Sequence, residues 1–188
     1  MYEVFNKELG YIKDERIRNS LKTMLNLLPE YFYQIPASST GKYHPEFTLG
    51  DGGLVRHVKA AVRIAYELLQ NPSINNFTDE EKDLILFALT VHDGLKNGIV
   101  KGKYTAFDHP IQISNYIKEN KDKLELNDNQ INLVCRCVST HMGPWTTDFN
   151  GNEILEAPKD KYQRFVHMCD YLASRKFLNI KFEDNEIN

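Results

Sequence analysis

Six residues of two chemical kinds, imidazole and carboxylate, recur along this chain at places where neither belongs by default: His57, His92, Asp93, His109, His141 and Asp170. The run from Leu84 to Lys96, LILFALTVHDGLK, is wholly apolar until it ends in the adjacent pair His92 and Asp93. A helix that is apolar all round belongs in a protein interior, so this pair arrives at depth and needs partners there. His57 lies one turn before Ala61 and Ile64, on the inward stripe of its segment, and His109 lies one turn before Ile113. His141 extends the stripe Ile131, Val134, Cys135 and Val138, while Asp170 sits one turn after Val166 and just before Ala173.

A lone buried histidine is most often a satisfied core residue. Six inward-pointing imidazoles and carboxylates in a small chain are a different matter, because each buried ionisable group costs several kcal/mol unless it is paired or metal-bound. A divalent cation is the most economical common partner. Nitrogen and carboxylate oxygen together suit zinc, manganese, iron, cobalt or nickel, whereas calcium would want more oxygens. Adjacent helical residues project about 100° apart, so His92 can ligate from the side while Asp93 reaches across to a second ion. Two ions about 4 Å apart would hold a water, lower its pKa and clamp a phosphoryl group, which is hydrolase chemistry.

The elements that must position these residues read as helices. Residues 14 to 29 carry Ile17, Leu21, Met24, Leu25 and Leu28 at helical spacing and stop at Pro29. Residues 31 to 53, with two prolines and four glycines, read as a long ordered loop of the kind that lines sites. A helix follows over 53–70. Thr78 with Glu81 forms a capping box that starts the central helix, which runs to about His92. Gly94 and Gly98 open a short, mobile connection; Asp108 before His109 and Pro110 looks like an N-cap; Asn127 with Gln130 starts another helix, and Gly143 and Pro144 end it. Pro158 begins a last helix whose Tyr162, Phe165, Val166, Cys169, Leu172 and Ala173 face the core. No strand pattern, repeat or low-complexity segment stands out. The fold class is all-α: one compact bundle of six or seven helices spanning 1–188.

With 188 residues, 41% of them hydrophobic and 26% charged, the chain is long enough to bury its own core as one domain. A net charge of -3 and a pI near 6.1 offer no general attraction for polyanions, which disfavours extended duplex binding. Cys135, Cys137 and Cys169 lack CxxC spacing and are odd in number, so a reducing cytoplasm is the expected setting. The N-terminus MYEVFNKELGYIKDER is charged throughout, lacking a signal-peptide core, and no run approaches the roughly 20 apolar residues of a membrane span.

Taken in order, GGLVRH at 52–57, VHDGLK at 91–96, DHP at 108–110, STHMG at 139–143 and HMCDYLASRK at 167–176 resemble the HD-domain metal-dependent phosphohydrolase superfamily, over about residues 41–176. The resemblance implies an all-α fold and a two-metal centre, with His57, His92 and Asp170 on the first ion, His109 and His141 on the second, and Asp93 bridging both. It also implies that Lys96, matching the lysine of HDxxK, binds a substrate phosphate or the developing charge. This chain reads HDGLK where many relatives read HDIGK. The implied reaction is hydrolysis of a phosphate ester in a nucleotide, a short or cyclic oligonucleotide or a nucleic-acid 3′ end, by a metal-bridged hydroxide, with Asp93 and Lys96 as catalytic groups. Some proteins resembling the superfamily instead use such a ligand set to hold two irons and oxidise their substrate with dioxygen, and a non-catalytic nucleotide-binding module is a third reading. Weaker candidates for substrate contact are Lys42 and His44 in the long loop, Arg56, Arg175 and Lys176 for phosphate, and Trp145 and Tyr43 as flat surfaces for a base. His167, one turn before Asp170, is a candidate to orient that carboxylate.

Overall fold

The computed structural model describes residues 1–38, 41, 44–178 and 180–187. Among these, seven α-helices follow one another: α1 Asn6–Leu9, α2 Glu15–Leu27, α3 Gly53–Gln70, α4 Asp79–Val91, α5 His109–Glu119, α6 Asp128–Ser139 and α7 Lys161–Ala173. The fold is all-α. No described helix is long and apolar enough to cross a membrane.

Helix α4 is the axis of the bundle. Every residue from Asp83 to Val91 is buried, and the helix packs on α2, α3, α6 and α7. Around it, α3 packs on α7 and α5 on α6. The capping boxes expected at Thr78/Glu81 and Asn127/Gln130 both form, so these two helices start where their end signals say they should.

Several boundaries differ from the sequence reading, each for a local reason. Helix α7 begins at Lys161 rather than Pro158, because Asp160 caps it: its carboxylate accepts from the backbone N–H of Tyr162 and Gln163, and Gln163 Oε1 accepts from the Asp160 N–H. Asp108 flanks α5 without capping it, since its carboxylate is engaged by Gln112 Nε2. The charged N-terminus contributes to the core through Phe5, Leu9 and Ile12, all buried. A small antiparallel hairpin, β1 Phe182–Glu183 and β2 Glu186–Ile187, closes the described chain, turning through Asp184 and Asn185 at φ 47° and 69°. These are residue types that tolerate the left-handed region a tight hairpin turn demands. The segment after Lys96 is tied rather than loose: Tyr31 donates its hydroxyl to Gly98 O at 2.7 Å, Ile99 N–H reaches Gln112 Oε1, and Ala106 N–H closes onto Lys96 O.

The hairpin docks through a buried charge. Lys59 of α3 is fully buried, with its ammonium 2.6 Å from Glu186 Oε1 and 3.4 Å from Glu8 Oε2. Burial pushes the Glu8 carboxyl above its ordinary range, and Lys59 offsets part of that rise. Lys59→Ala leaves Glu8 buried without a counter-charge, so urea denaturation should show a loss of about 3 kcal/mol in unfolding free energy.

Candidate metal centre

The six singled-out residues come from five elements, and most enter at a helix end. His57 projects from the second turn of α3, His92 caps the C-terminus of α4 and Asp93 follows it, His109 opens α5, His141 lies just past the end of α6, and Asp170 lies in the last turn of α7. The structure brings all six side chains together. His57 Nε2 is 2.9 Å from Asp170 Oδ1 and 3.8 Å from Asp93 Oδ2; His92 Nε2 is 3.4 Å and 3.6 Å from the same two oxygens. On the other side of the carboxylate, His109 Nε2 is 3.0 Å and His141 Nε2 3.6 Å from Asp93 Oδ1, and these two nitrogens are 3.1 Å apart.

One local device orients three of the rings. His92 Nδ1 lies 2.6 Å from Leu89 O, His109 Nδ1 2.7 Å from Ala106 O, and His141 Nδ1 2.7 Å from Val138 O, each a carbonyl three residues earlier. A carbonyl only accepts, so each Nδ1 carries the proton. At the ends of α4 and α6 the bond also satisfies a last-turn carbonyl that the helix leaves over. The consequence is chemical. Every neutral ring fixed this way turns the unprotonated lone pair of Nε2 toward the Asp93 and Asp170 carboxylates.

Lone pairs facing lone pairs and carboxylates repel unless a cation lies between them. The buried His92 Nε2 and Asp93 Oδ1 have no hydrogen-bond partner, as that view requires. Two groups have donor atoms all within 4.8 Å of one another: His57, His92 and Asp170, and His92, Asp93 and His141. The first is the set expected for one ion. The second differs from the expected pair in that His92 stands within reach of both groups, while His109 joins through Asp93 Oδ1 and His141. Ligands on one transition-metal ion, bound at roughly 2.1 Å, lie roughly 3 to 3.4 Å from each other, and the spacings here bracket that range. These residues fit divalent cations with mixed nitrogen and oxygen ligands.

The electrostatics agree. Burial would raise both carboxyls, yet Lys96, His92 and the other rings hold Asp93 well below the ordinary carboxylate range, and His92 and His57 do the same for Asp170. His92 is fully buried, which lowers an imidazole, but Asp93 and Asp170 outweigh the burial and push it up. For His109 burial wins and its pKa falls. Lys96 Nζ lies 2.5 Å from Asp93 Oδ2, so the displaced glycine of HDGLK does not misdirect the lysine. That glycine has its own reason: a Cβ on Gly94 would come within 2.7 Å of Leu28 Cδ2, where the turn leaving α4 packs on the end of α2.

A cavity of about 520 Å³ opens onto the cluster, and His57, Asp93, Lys96, His109, His141 and Asp170 line it. His44 and Trp145 line it as well, and Ala37 and Ser38 bring the long loop to its wall. Burial, then the neighbouring His57 and Lys96, push the His44 imidazole down to about 4. Arg56 is elsewhere: its guanidinium donates to the carbonyls of Phe47 and Leu49 and to Asn185 Oδ1, binding the loop and the hairpin turn to α3 rather than facing the cluster. Arg175 lines the cavity and Lys176 does not, lying with Arg56 in a separate surface depression. Lys42 and Tyr43 lie outside the described residues. His167 does not orient Asp170. Its Nδ1 donates to His141 O at 2.7 Å and so braces the backbone of a different candidate ligand. Gly143 makes room for it: at φ 68° a Cβ there would fall 2.1 Å from the His167 ring.

The sequence reading missed Tyr171, Thr105, Met142 and Ser174 as cavity residues. For Tyr171 a signal existed, since it lies four residues after His167, one turn along α7, and directly follows Asp170. Compared with protein-family models, curated proteins and solved structures, the chain matches none.

Chelator-treated protein given manganese or cobalt should melt at a higher temperature, with a gain of about 4 kcal/mol once metal exceeds its dissociation constant a thousandfold, and Asp93→Ala should remove most of that gain. Because Asp93 and Asp170 push the His92 pKa up, proton and cation compete for its Nε2 as the pH falls, and metal affinity should drop by up to about tenfold per unit of acidification, as read by calorimetry.

Proposed function

We propose that the protein is a metal-dependent phosphohydrolase of the HD-domain kind that its motifs resemble, cleaving a phosphate ester of a nucleotide, a short or cyclic oligonucleotide or a nucleic-acid 3′ end. One observation carries the reading: a single carboxylate, Asp93, has one oxygen among His57 and His92 and the other among His109 and His141, with an ammonium beside it. His57, His92 and Asp170 would hold one divalent ion, His109 and His141 a second, and Asp93 both. When bound, such ions supply Lewis-acid activation of a water and neutralise charge on the phosphoryl oxygens.

The chain's own residues account for the rest. Backbone carbonyls hold three imidazole rings in one tautomer, so the donors are preorganised and need no rearrangement on loading. Lys96 keeps a positive charge on the cavity wall against Asp93, where it can bind a phosphoryl oxygen and steady the negative charge that grows during ester cleavage. That ammonium favours an anionic substrate, as a phosphate ester is. The buried free thiols of Cys135, Cys137 and Cys169 suit a reducing cytoplasmic setting.

The test is metal analysis of the purified protein followed by a panel of phosphate mono- and diesters with manganese, cobalt or nickel, products being identified by mass spectrometry. Release of phosphate or of a nucleotide is expected. Asp93→Ala should abolish it, and Lys96→Gln should lower kcat/KM about 100-fold at unchanged metal content. Bound iron with oxygen uptake and no ester cleavage would overturn the reading in favour of an oxygenase.

A further inference from the structure

The wall of the cavity opposite in kind to its ionic floor is aromatic. Trp145 is half exposed at 50%, and its ring is stacked with that of Tyr171, centroids 6.0 Å apart and planes 16° apart. Tyr171 in turn has the Arg175 guanidinium 4.3 Å over its ring and His167 at 5.9 Å, and His167 also meets Trp145 edge-on at 6.1 Å. Phe149, exposed at 101%, has no ring contact among those of the described residues. Trp145 is different: two rings, Tyr171 and His167, pack against it, and it still presents open surface to the cavity.

Its position relative to the candidate ligands is also set. Trp145 lies four residues after His141, across the tight turn through Gly143, and His167 binds the His141 carbonyl beneath that turn. Tyr171 directly follows Asp170 on α7. A flat ring is thereby placed at a fixed span from the cluster of donors. Arg175 is pinned by Nε and Nη2 to Ser174 Oγ, which itself donates to Tyr171 O, so the cation stays over the Tyr171 ring.

We propose that Trp145 is the stacking platform for the base of one nucleotide whose phosphate lies at Lys96 and the histidine–aspartate cluster, with Tyr171 and Arg175 as positioning residues that hold the indole. The proposal rests on the phosphate-ester reading of the same cavity and names its specificity element. A volume of about 520 Å³ is within the roughly 300–1,000 Å³ of single small-molecule sites, which suits one nucleotide at a time. Stacking accepts any base, because every base has a π face. A free mononucleotide and the terminal residue of a single strand present the same chemistry at the platform.

Trp145 is the sole tryptophan of the chain and reports directly on its own site. Metal-loaded protein is titrated with the phosphonate analogue of adenosine monophosphate, in which a methylene replaces the ester oxygen and blocks hydrolysis, with ribose 5-phosphate, and with a short oligoadenylate ending in the same phosphonate. The analogue should quench the fluorescence and ribose 5-phosphate should not. By calorimetry, Trp145→Ala should weaken the analogue about 5- to 100-fold and leave ribose 5-phosphate affinity within about twofold, with Trp145→Phe restoring most of the loss. Tyr171→Leu and Arg175→Gln should weaken it less, and Arg175→Lys should recover the Arg175→Gln loss. Equal binding of the base-bearing and base-free ligands, or unchanged analogue affinity in Trp145→Ala, overturns the proposal. An oligoadenylate that binds tighter than the mononucleotide analogue assigns the platform to strand ends, and one that binds more weakly assigns it to free nucleotides; either supports stacking. Because these readouts need no turnover, Trp145-dependent binding without ester cleavage would defeat the phosphohydrolase reading alone, and cleavage without Trp145-dependent binding would defeat the stacking proposal alone.

Discussion

The structure depends on the charge state of one buried carboxylate. Asp93 sits at the end of a helix that is buried on all sides, 1% exposed, with four imidazole nitrogens within 3.8 Å and Lys96 against it. With the rings neutral, the carboxylates of Asp93 and Asp170 carry two negative charges against the one positive charge of Lys96, a net of -1 in a region where an isolated ion would cost several kcal/mol. With Nδ1 committed to a backbone carbonyl, a proton that cancels that deficit must go to Nε2, where it takes up the lone pair facing the carboxylates. A cation among the Nε2 atoms removes the deficit at once and leaves the pocket net positive, which is the sign an anionic ester requires.

Such a cluster can exist only if the fold prevents it from relaxing. Pulling one helix outward would relieve repulsion among the donors, so each donor must be anchored by something stronger. Helix α4 is enclosed by α2, α3, α6 and α7 and cannot shift without opening the core. Gly94 lets its end close onto Leu28, and Gly143 lets the turn after α6 close onto His167. The ring-to-carbonyl bonds then remove the freedom of the side chains themselves. Packing fixes the helices, and hydrogen bonds within single turns fix the rings.

What the sequence made legible follows from period and end signals. His57 and His109 could be placed inward because apolar residues recur at three and four positions from them, and the capping boxes at Thr78 and Asn127 located two helix starts. The cluster itself was legible because six costly residues shared one buried side. Arg56 was misplaced because a residue beside an inward histidine was taken to share its surroundings, whereas neighbours on a helix point about 100° apart. His167 was read against Asp170, one turn along its own helix, but its partner is the backbone of His141, 26 residues away, a contact no local rule reveals. The buried apolar residues of the N-terminus went unread because short elements carry too few turns to show a period, and their burial is decided by what packs over them.

Helix α7 shows why binding and chemistry need not be tuned separately in this fold. Asp170 and Tyr171 are consecutive, so their side chains leave the helix about 100° apart, one toward the donors and the other toward the aromatic wall. The turn 141–145 repeats the arrangement, with His141 among the donors and Trp145 on the wall. His167 joins the two elements, since it leaves α7 and bonds the carbonyl of His141. A rotation of α7 that moved the Tyr171 ring would therefore also move the Asp170 carboxylate off His57 and strain the backbone holding His141. The distance between the aromatic wall and the ionic floor is a property of two rigid elements and one hydrogen bond, and a bound molecule that bridges them is measured against that fixed length.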